Sequence, residues 1–204
     1  GKHFIRLKFE YFFKSIVFTS AKKRYIGLAI YKEGKKINEL YSKGFENIRS
    51  DTALFFKKYL SKIFYAIVDL KSESEVNAII SEIIAETKSL SPYEIASPKN
   101  ISRDIDKYKG NSQHISAAKY SNQYLGTKFE RSATCRLLYV KKIHRSGIPF
   151  RDNILIDSST DLSGIEVDYE RHMQKGILDK VRDIFDILQW RMIDDKQLSL
   201  AKFV

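Results

Sequence analysis

The sequence predicts an α+β protein: an N-terminal β-ribbon, then a mainly helical region with a short strand and a long C-terminal helix. Two observations carry this expectation. From Phe9 to Ile48 the chain is rich in aromatic and β-branched residues, the composition of pleated strands. At Asp51 the apolar period changes, and Phe56, Leu60, Ile63 and Ile67 recur at the three- or four-residue spacing of an amphipathic helix.

The ribbon is interrupted at Glu33-Gly34-Lys35-Lys36, which suits a turn between two strands. After the first helix, Ser72-Glu73-Ser74-Glu75 reads as a capping box opening a second, whose apolar stripe is Val76, Ile79, Ile80, Ile83 and Ile84. Ser89-Leu90-Ser91-Pro92 to Ser97-Pro98 holds two of the three prolines and breaks the helical pattern, so it reads as a connector. Two short helices are expected next, Ile101 to Tyr108 and Gln113 to Tyr124, with Gly126 terminating the second. Leu137 to Ile143 reads as a strand and Gly147 to Gly164 as a polar loop. The last helix is expected from about Val167 to Trp190, with Met173, Ile177, Val181, Ile184 and Leu188 on its buried side.

With 204 residues, 43% of them hydrophobic, the chain is long enough to bury a core. A net charge of +11 favours an anionic partner, nucleic acid before a membrane surface. No apolar run approaches the roughly eighteen residues of a spanning helix, and Gly1-Lys2-His3-Phe4 has no secretory h-region, so a cytoplasmic, nucleoid-associated location is expected. Cys135 is the single cysteine, which excludes an internal disulfide, and its place in a strand-like run reads as a buried structural thiol. His3, His114, His144 and His172 show no paired ligand spacing, so no metal site is expected.

Catalytic patterns are sparse. Asp104-x-Asp106 is the one close acidic pair considered for metal-dependent phosphoryl transfer, but on a helix its carboxylates point apart and read as a solvated face. The glycines are dispersed, forming neither a phosphate loop nor a Gly-x-Ser-x-Gly elbow. Basic residues, by contrast, cluster with aromatics. In Lys22-Lys23-Arg24-Tyr25, strand alternation would place Lys23 and Tyr25 on one face and Lys22 and Arg24 on the other. Lysine supplies charge for phosphate and a tyrosine hydroxyl bonds phosphate, sugar or a minor-groove acceptor; the plainer alternative is a solvated edge strand guarded by lysines. A second cluster comprises Ser102, Arg103, Lys107, Tyr108, Lys109, His114 and Lys119. At a helix start, Ser102 and Arg103 could hold a phosphate with side chains and free amides; a solvated helix face is the alternative.

The order of these motifs resembles the C-terminal part of family B DNA polymerases, archaeal ones above all, across nearly the whole chain. Glu10 to Phe13 looks like the last palm strand, and Lys22-Lys23-Arg24-Tyr25 is similar to the family's Lys-x-Tyr motif that holds primer-template duplex in its minor groove. Lys43-Gly44-Phe45-Glu46 with Arg49 and Asp51 is similar to the motif at the palm-to-thumb passage. Tyr108-Lys109 and His114-Ile115-Ser116-Ala117-Ala118 match thumb signatures, and Leu138-Tyr139-Val140 and Asp168-Tyr169 lead into the last helix as in that family. One departure stands out: Leu7-Lys8-Phe9-Glu10 keeps only the second acid of the family's Leu-Glu-x-Glu, which puts accessory metal binding there in doubt.

The resemblance implies a palm-end β-ribbon over residues 1–50, a thumb over 51–191 and a tail over 192–204. Gln197, Leu200, Phe203 and Val204 fit the clamp-interacting peptide of archaeal family B polymerases; a tail whose Leu and Phe pack on the thumb is the alternative. The implied partners are duplex DNA, a polymerase part carrying exonuclease, palm and fingers, and a sliding clamp. Magnesium and the catalytic aspartates are expected only in that other part, upstream of Gly1, so the chain would be an excised fragment or the small piece of a split polymerase, inactive alone. A stand-alone double-stranded nucleic-acid-binding accessory protein, or a polymerase and clamp scaffold, is the alternative function.

Overall fold

The structure is a computed structural model that describes residues 8–45, 50–110 and 112–193. Its α+β architecture starts with an antiparallel meander of β1 (Tyr11–Phe18), β2 (Tyr25–Lys32) and β3 (Lys35–Lys43). The expected turn joins β2 to β3: Glu33 and Gly34 both have positive φ, 49° and 84°, the backbone that matches the twist of a two-residue hairpin. The ribbon has three strands rather than two, because β1 pairs back along β2. Register shifts around Phe13 swing its ring over Gly27, where a Cβ would stand 2.7 Å from the ring.

One face of this sheet supplies Ile26 and Leu28 to the main core, against α1 (Leu54–Val68) and Phe45. Phe56, Leu60, Ile63 and Ile67 are all buried, as their spacing predicts. The turn after α1 has Lys71 N–H bonded to Ala66 O at 3.0 Å and Leu70 N–H to Ile67 O at 3.1 Å, with Leu70 left-handed at φ 64°. Helix α2 (Glu73–Thr87) opens on the expected capping box: the Ser72 hydroxyl accepts from Glu75 N–H and the Glu75 carboxylate accepts from Ser72 N–H.

The connector is more ordered than its prolines indicate. It holds a second capping box, Ser91 with Glu94, on the short helix α3 (Pro92–Ile95), and then β4 (Ser97–Asn100). The helix expected over Ile101 to Tyr108 is absent, replaced by a single 3-10 turn at Ile105–Lys107. Helix α4 (Gln113–Tyr124) follows, and Gly126 beyond it has the φ of 69° that suits a helix stop.

Strand β5 (Thr134–Ile143) is longer than expected and forms the spine of the second sheet. It pairs with β4, with β6 (Asn153–Ile156) and, by its second half, with β7 (Ile165–Val167). Both β6 and β7 lie near or within the stretch read as a polar loop or helix start. Ile154, Leu155 and Ile156 are buried on both faces, so they lack the alternation that marks a half-exposed strand. Leu138, Val140, Ile154 and Ile156 enter the main core, whereas Cys135, Leu137, Tyr139 and Leu155 form a second core with Ile101, Ile115, Ala117, Ala118 and Phe129. The sheet is thus a wall between two cores.

The last helix is interrupted rather than uniform: α5 (Tyr169–Met173), a π-helical turn (Gln174–Leu178) and α6 (Asp179–Ile187). Within the π turn, Gly176 lies on the ring of Phe56, so close that a Cβ would stand 2.5 Å from it. The buried side of the helix, including Met173, Ile177, Val181 and Ile184, is as predicted. No helix among the described residues is long and apolar enough to cross a membrane.

Candidate nucleic-acid interface

Lys22 and Lys23 occupy the turn between β1 and β2, not a strand, so the alternation expected for Lys22-Lys23-Arg24-Tyr25 does not hold. The turn is closed by Thr19 N–H to Arg24 O at 3.0 Å and Arg24 N–H to Ala21 O at 3.2 Å, with Lys23 left-handed at φ 61°. Both lysines are exposed, and neither makes an ion pair among the described residues. Arg24 points the other way. Its guanidinium lies 4.5 Å over the Phe45 ring and pairs with Asp183 of α6 at 2.6 Å.

The second half of the seat is Gly44, with φ 76°. A Cβ there would stand 3.0 Å from Lys23 O and 3.2 Å from Arg24 Cα, so glycine lets β3 end directly under the lysine turn. The spacing of Lys22-Lys23-Arg24-Tyr25 from Lys43-Gly44-Phe45 therefore has a physical meaning: the two segments are packed against each other. Tyr25 opens β2 and is half-buried in a layer of rings on the face of the sheet away from the core, stacked on Tyr41 at 5.8 Å and next to Phe18 at 5.4 Å. Burial, then the neighbouring Tyr41, pushes the Tyr25 phenol above its ordinary value, so it stays a neutral donor.

The second cluster assembles in part. The Tyr108 hydroxyl oxygen accepts from Ser102 N–H at 2.9 Å and Arg103 N–H at 3.2 Å, and lies 3.1 Å from Ser102 Oγ. The two amides expected to be free for a phosphate are thus occupied by the phenol, and no helix starts there. The Ser102 contact, ahead of the amides, lowers the Tyr108 phenol's pKa. His114 stands edge-on to Tyr108 at 6.4 Å, and Lys109 and Lys119 line one shallow depression with Tyr108 and Ser116. Lys107 pairs with Asp104 at 2.6 Å and Lys119 lies 3.9 Å from Asp106, so the Asp104-x-Asp106 pair serves nearby lysines. Burial and then the charge of Lys99 lower the His114 pKa. No hydrogen bond, ion pair or ring contact joins this cluster to the Lys22–Tyr25 group among the described residues.

A family model described as DNA polymerase family B matches residues 2–188. The chain belongs to DNA polymerase family B. Its fold is similar to that of the family B DNA polymerase from the hyperthermophilic archaeon Pyrobaculum calidifontis, with a TM-score of 0.55 at 21% identity, over 82% of this chain and 21% of that one. The chain therefore spans about one fifth of that polymerase's length. Comparison with curated proteins finds no match.

Within this family B chain, several predicted residues lie outside the described ones: Arg49, and the tail residues Gln197, Leu200, Phe203 and Val204. Asp51 is described, and pairs with Lys99 of β4 at 3.6 Å, tying the segment after β3 to the second sheet. Sequence reasoning missed the roles of Arg24, Asp183 and Tyr41. Tyr41 could have been found from the hairpin register, since it lies opposite Gly27 on the same face as Tyr25. Cys135 is buried, and burial pushes its thiol up to about 11, which makes it an unreactive core residue. Among the described residues no group of three or more His, Cys, Asp and Glu side chains could hold a metal ion.

Proposed function

We propose that the chain is the palm-end and thumb part of a family B DNA-directed DNA polymerase, and that it grips primer-template duplex behind an active site carried elsewhere. The observation that supports this reading best is the Lys22-Lys23 turn: two exposed cations without acidic partners among the described residues, on a turn seated against Gly44. The grip is electrostatic and positional. Lys22, Lys23, Arg103, Lys107, Lys109 and Lys119 neutralise phosphates, and the neutral Tyr25 hydroxyl senses duplex geometry without reading sequence. Residues 1–50 act as the palm end and 51–191 as the thumb. Magnesium belongs in this reading to the catalytic part, and no step of the grip is routed through it.

Residues 192–204 tether the polymerase to a sliding clamp, with Leu200 and Phe203 filling an apolar pocket and Gln197 bonding beside it. The tether raises the effective concentration of the polymerase on the DNA that the clamp encircles. Replacing Phe203 by Ala is expected to abolish clamp binding and leave duplex affinity unchanged.

The test of the grip is duplex affinity against salt for the chain and for Lys22→Ala/Lys23→Ala. If both lysines contact phosphates, the log-log slope should flatten by roughly 1.8, about 0.9 per contact. An unchanged slope would remove the lysine turn from the interface.

A further inference from the structure

We infer that Asp183, on the last helix, is a positioning residue for the DNA grip: it holds the lysine turn in place through Arg24, from 159 positions away in the chain. The inference rests on the reading of Lys22 and Lys23 given above. Four observations carry it. The Arg24 guanidinium runs beneath the turn and bonds α6 twice, Nη1 to Asp183 Oδ2 at 2.6 Å and Nη2 to Lys180 O at 3.5 Å. Its flat face rests on the buried Phe45 ring at 4.5 Å, which fixes the plane of the fork. Its Nε is buried and without a hydrogen-bond partner, so that edge of the fork is closed to solvent. Finally, Arg24 O accepts from both the amide and the hydroxyl of Thr19, closing the turn that displays the lysines.

Charge makes Asp183 the sensitive member of this set. Asp183 is the one carboxylate paired with Arg24 among the described residues. Removing its charge leaves a largely enclosed guanidinium without its carboxylate partner, and the fork swings out of its plane on Phe45. Lys23, adjacent to Arg24 and held at a positive φ, is then free to relax, and the spacing of the two lysine ammoniums relative to the duplex is lost. Neither Asp183 nor Arg24 needs to touch DNA for this to happen.

The experiment is a cycle in the full chain: wild type, Asp183→Asn, Lys22→Ala/Lys23→Ala and the triple variant, each measured for duplex affinity at moderate salt and for amide exchange over residues 19–24. Asp183→Asn should weaken duplex binding by about three- to tenfold, and by under about 1.5-fold once both lysines are gone, since coupled residues are non-additive. Amide exchange over residues 19–24 should speed up while α1 and α2 stay protected, and Asp183→Glu should restore both readouts. Unchanged exchange in Asp183→Asn, or an equal loss of affinity with and without the lysines, overturns the inference. If the lysine double variant binds duplex like wild type, the grip reading fails, and the exchange measurement alone decides whether Asp183 positions the turn.

Discussion

The backbone amide of Tyr139 donates to Nε2 of His172 at 2.9 Å, inside the wall between the two cores. His172 is 1% exposed, its ring lies 4.9 Å from that of Tyr139, and the Arg171 guanidinium sits 4.5 Å from the same phenol ring. The imidazole must therefore accept, not donate, at Nε2, which only its neutral form does.

Burial first, and Arg171 second, hold the His172 pKa at about 3 instead of 6.5. The unfolded chain takes a proton on this ring below about pH 6.5 and the folded chain refuses it, so stability is full above that pH and falls as pH drops toward about 3. The expected loss at pH 5 is roughly 2 kcal/mol relative to pH 7, at about 1.4 kcal/mol per unit. His114, also lowered, adds in the same direction. Urea unfolding at the two pH values measures this. His172→Gln, which keeps an acceptor and cannot titrate, should lose much less; an equal loss in both proteins would rule out His172 as the source.

Gly176→Ala should destabilise the chain, although in an ordinary helix interior the same change gains about 1 kcal/mol. The new methyl would fall within 2.5–2.7 Å of three atoms of the buried Phe56 ring. Overpacking of this kind costs about 1–3 kcal/mol. Shaving the ring with Phe56→Leu in the same chain should recover part of the loss, so the two changes together cost less than their sum. Additive urea midpoints would show that the ring is not the obstacle.

Gly44→Ala should affect both stability and DNA binding. Its left-handed φ of 76° and the 3.0 Å approach to Lys23 O combine to cost roughly 1–3 kcal/mol. Because the obstacle is the backbone of the lysine turn, duplex affinity should fall with it. A stability loss with unchanged duplex affinity would separate the seat from the grip.

Legibility in the sequence followed the range of the forces involved. Helices α1 and α2 could be read because the apolar stripe from Phe56 to Ile67 and the Ser72–Glu75 box are local signals. Strand β6 could not, since Asn153–Ile156 is buried throughout and shows no period of two. The segment 101–108 has helical spacing, but its backbone leaves the helical region at Asp104 and Tyr108, and the Tyr108 ring folds back on Ser102 and Arg103, which periodicity does not register. In the candidate interface, the exposed lysines and the glycine were visible as residue types. The pairing of Arg24 with Asp183 was not, because nothing within one turn of either residue announces it.

The alternation along β5 bears on how this molecule can move. Cys135, Leu137 and Tyr139 are anchored on one side and Leu138 and Val140 on the other, so the strand cannot pivot without emptying one core to relieve the other. Slipping by a single residue would exchange every side chain between the two. Shifting α4, which carries Lys119, against α1 and α6 would therefore disturb the packing on this strand.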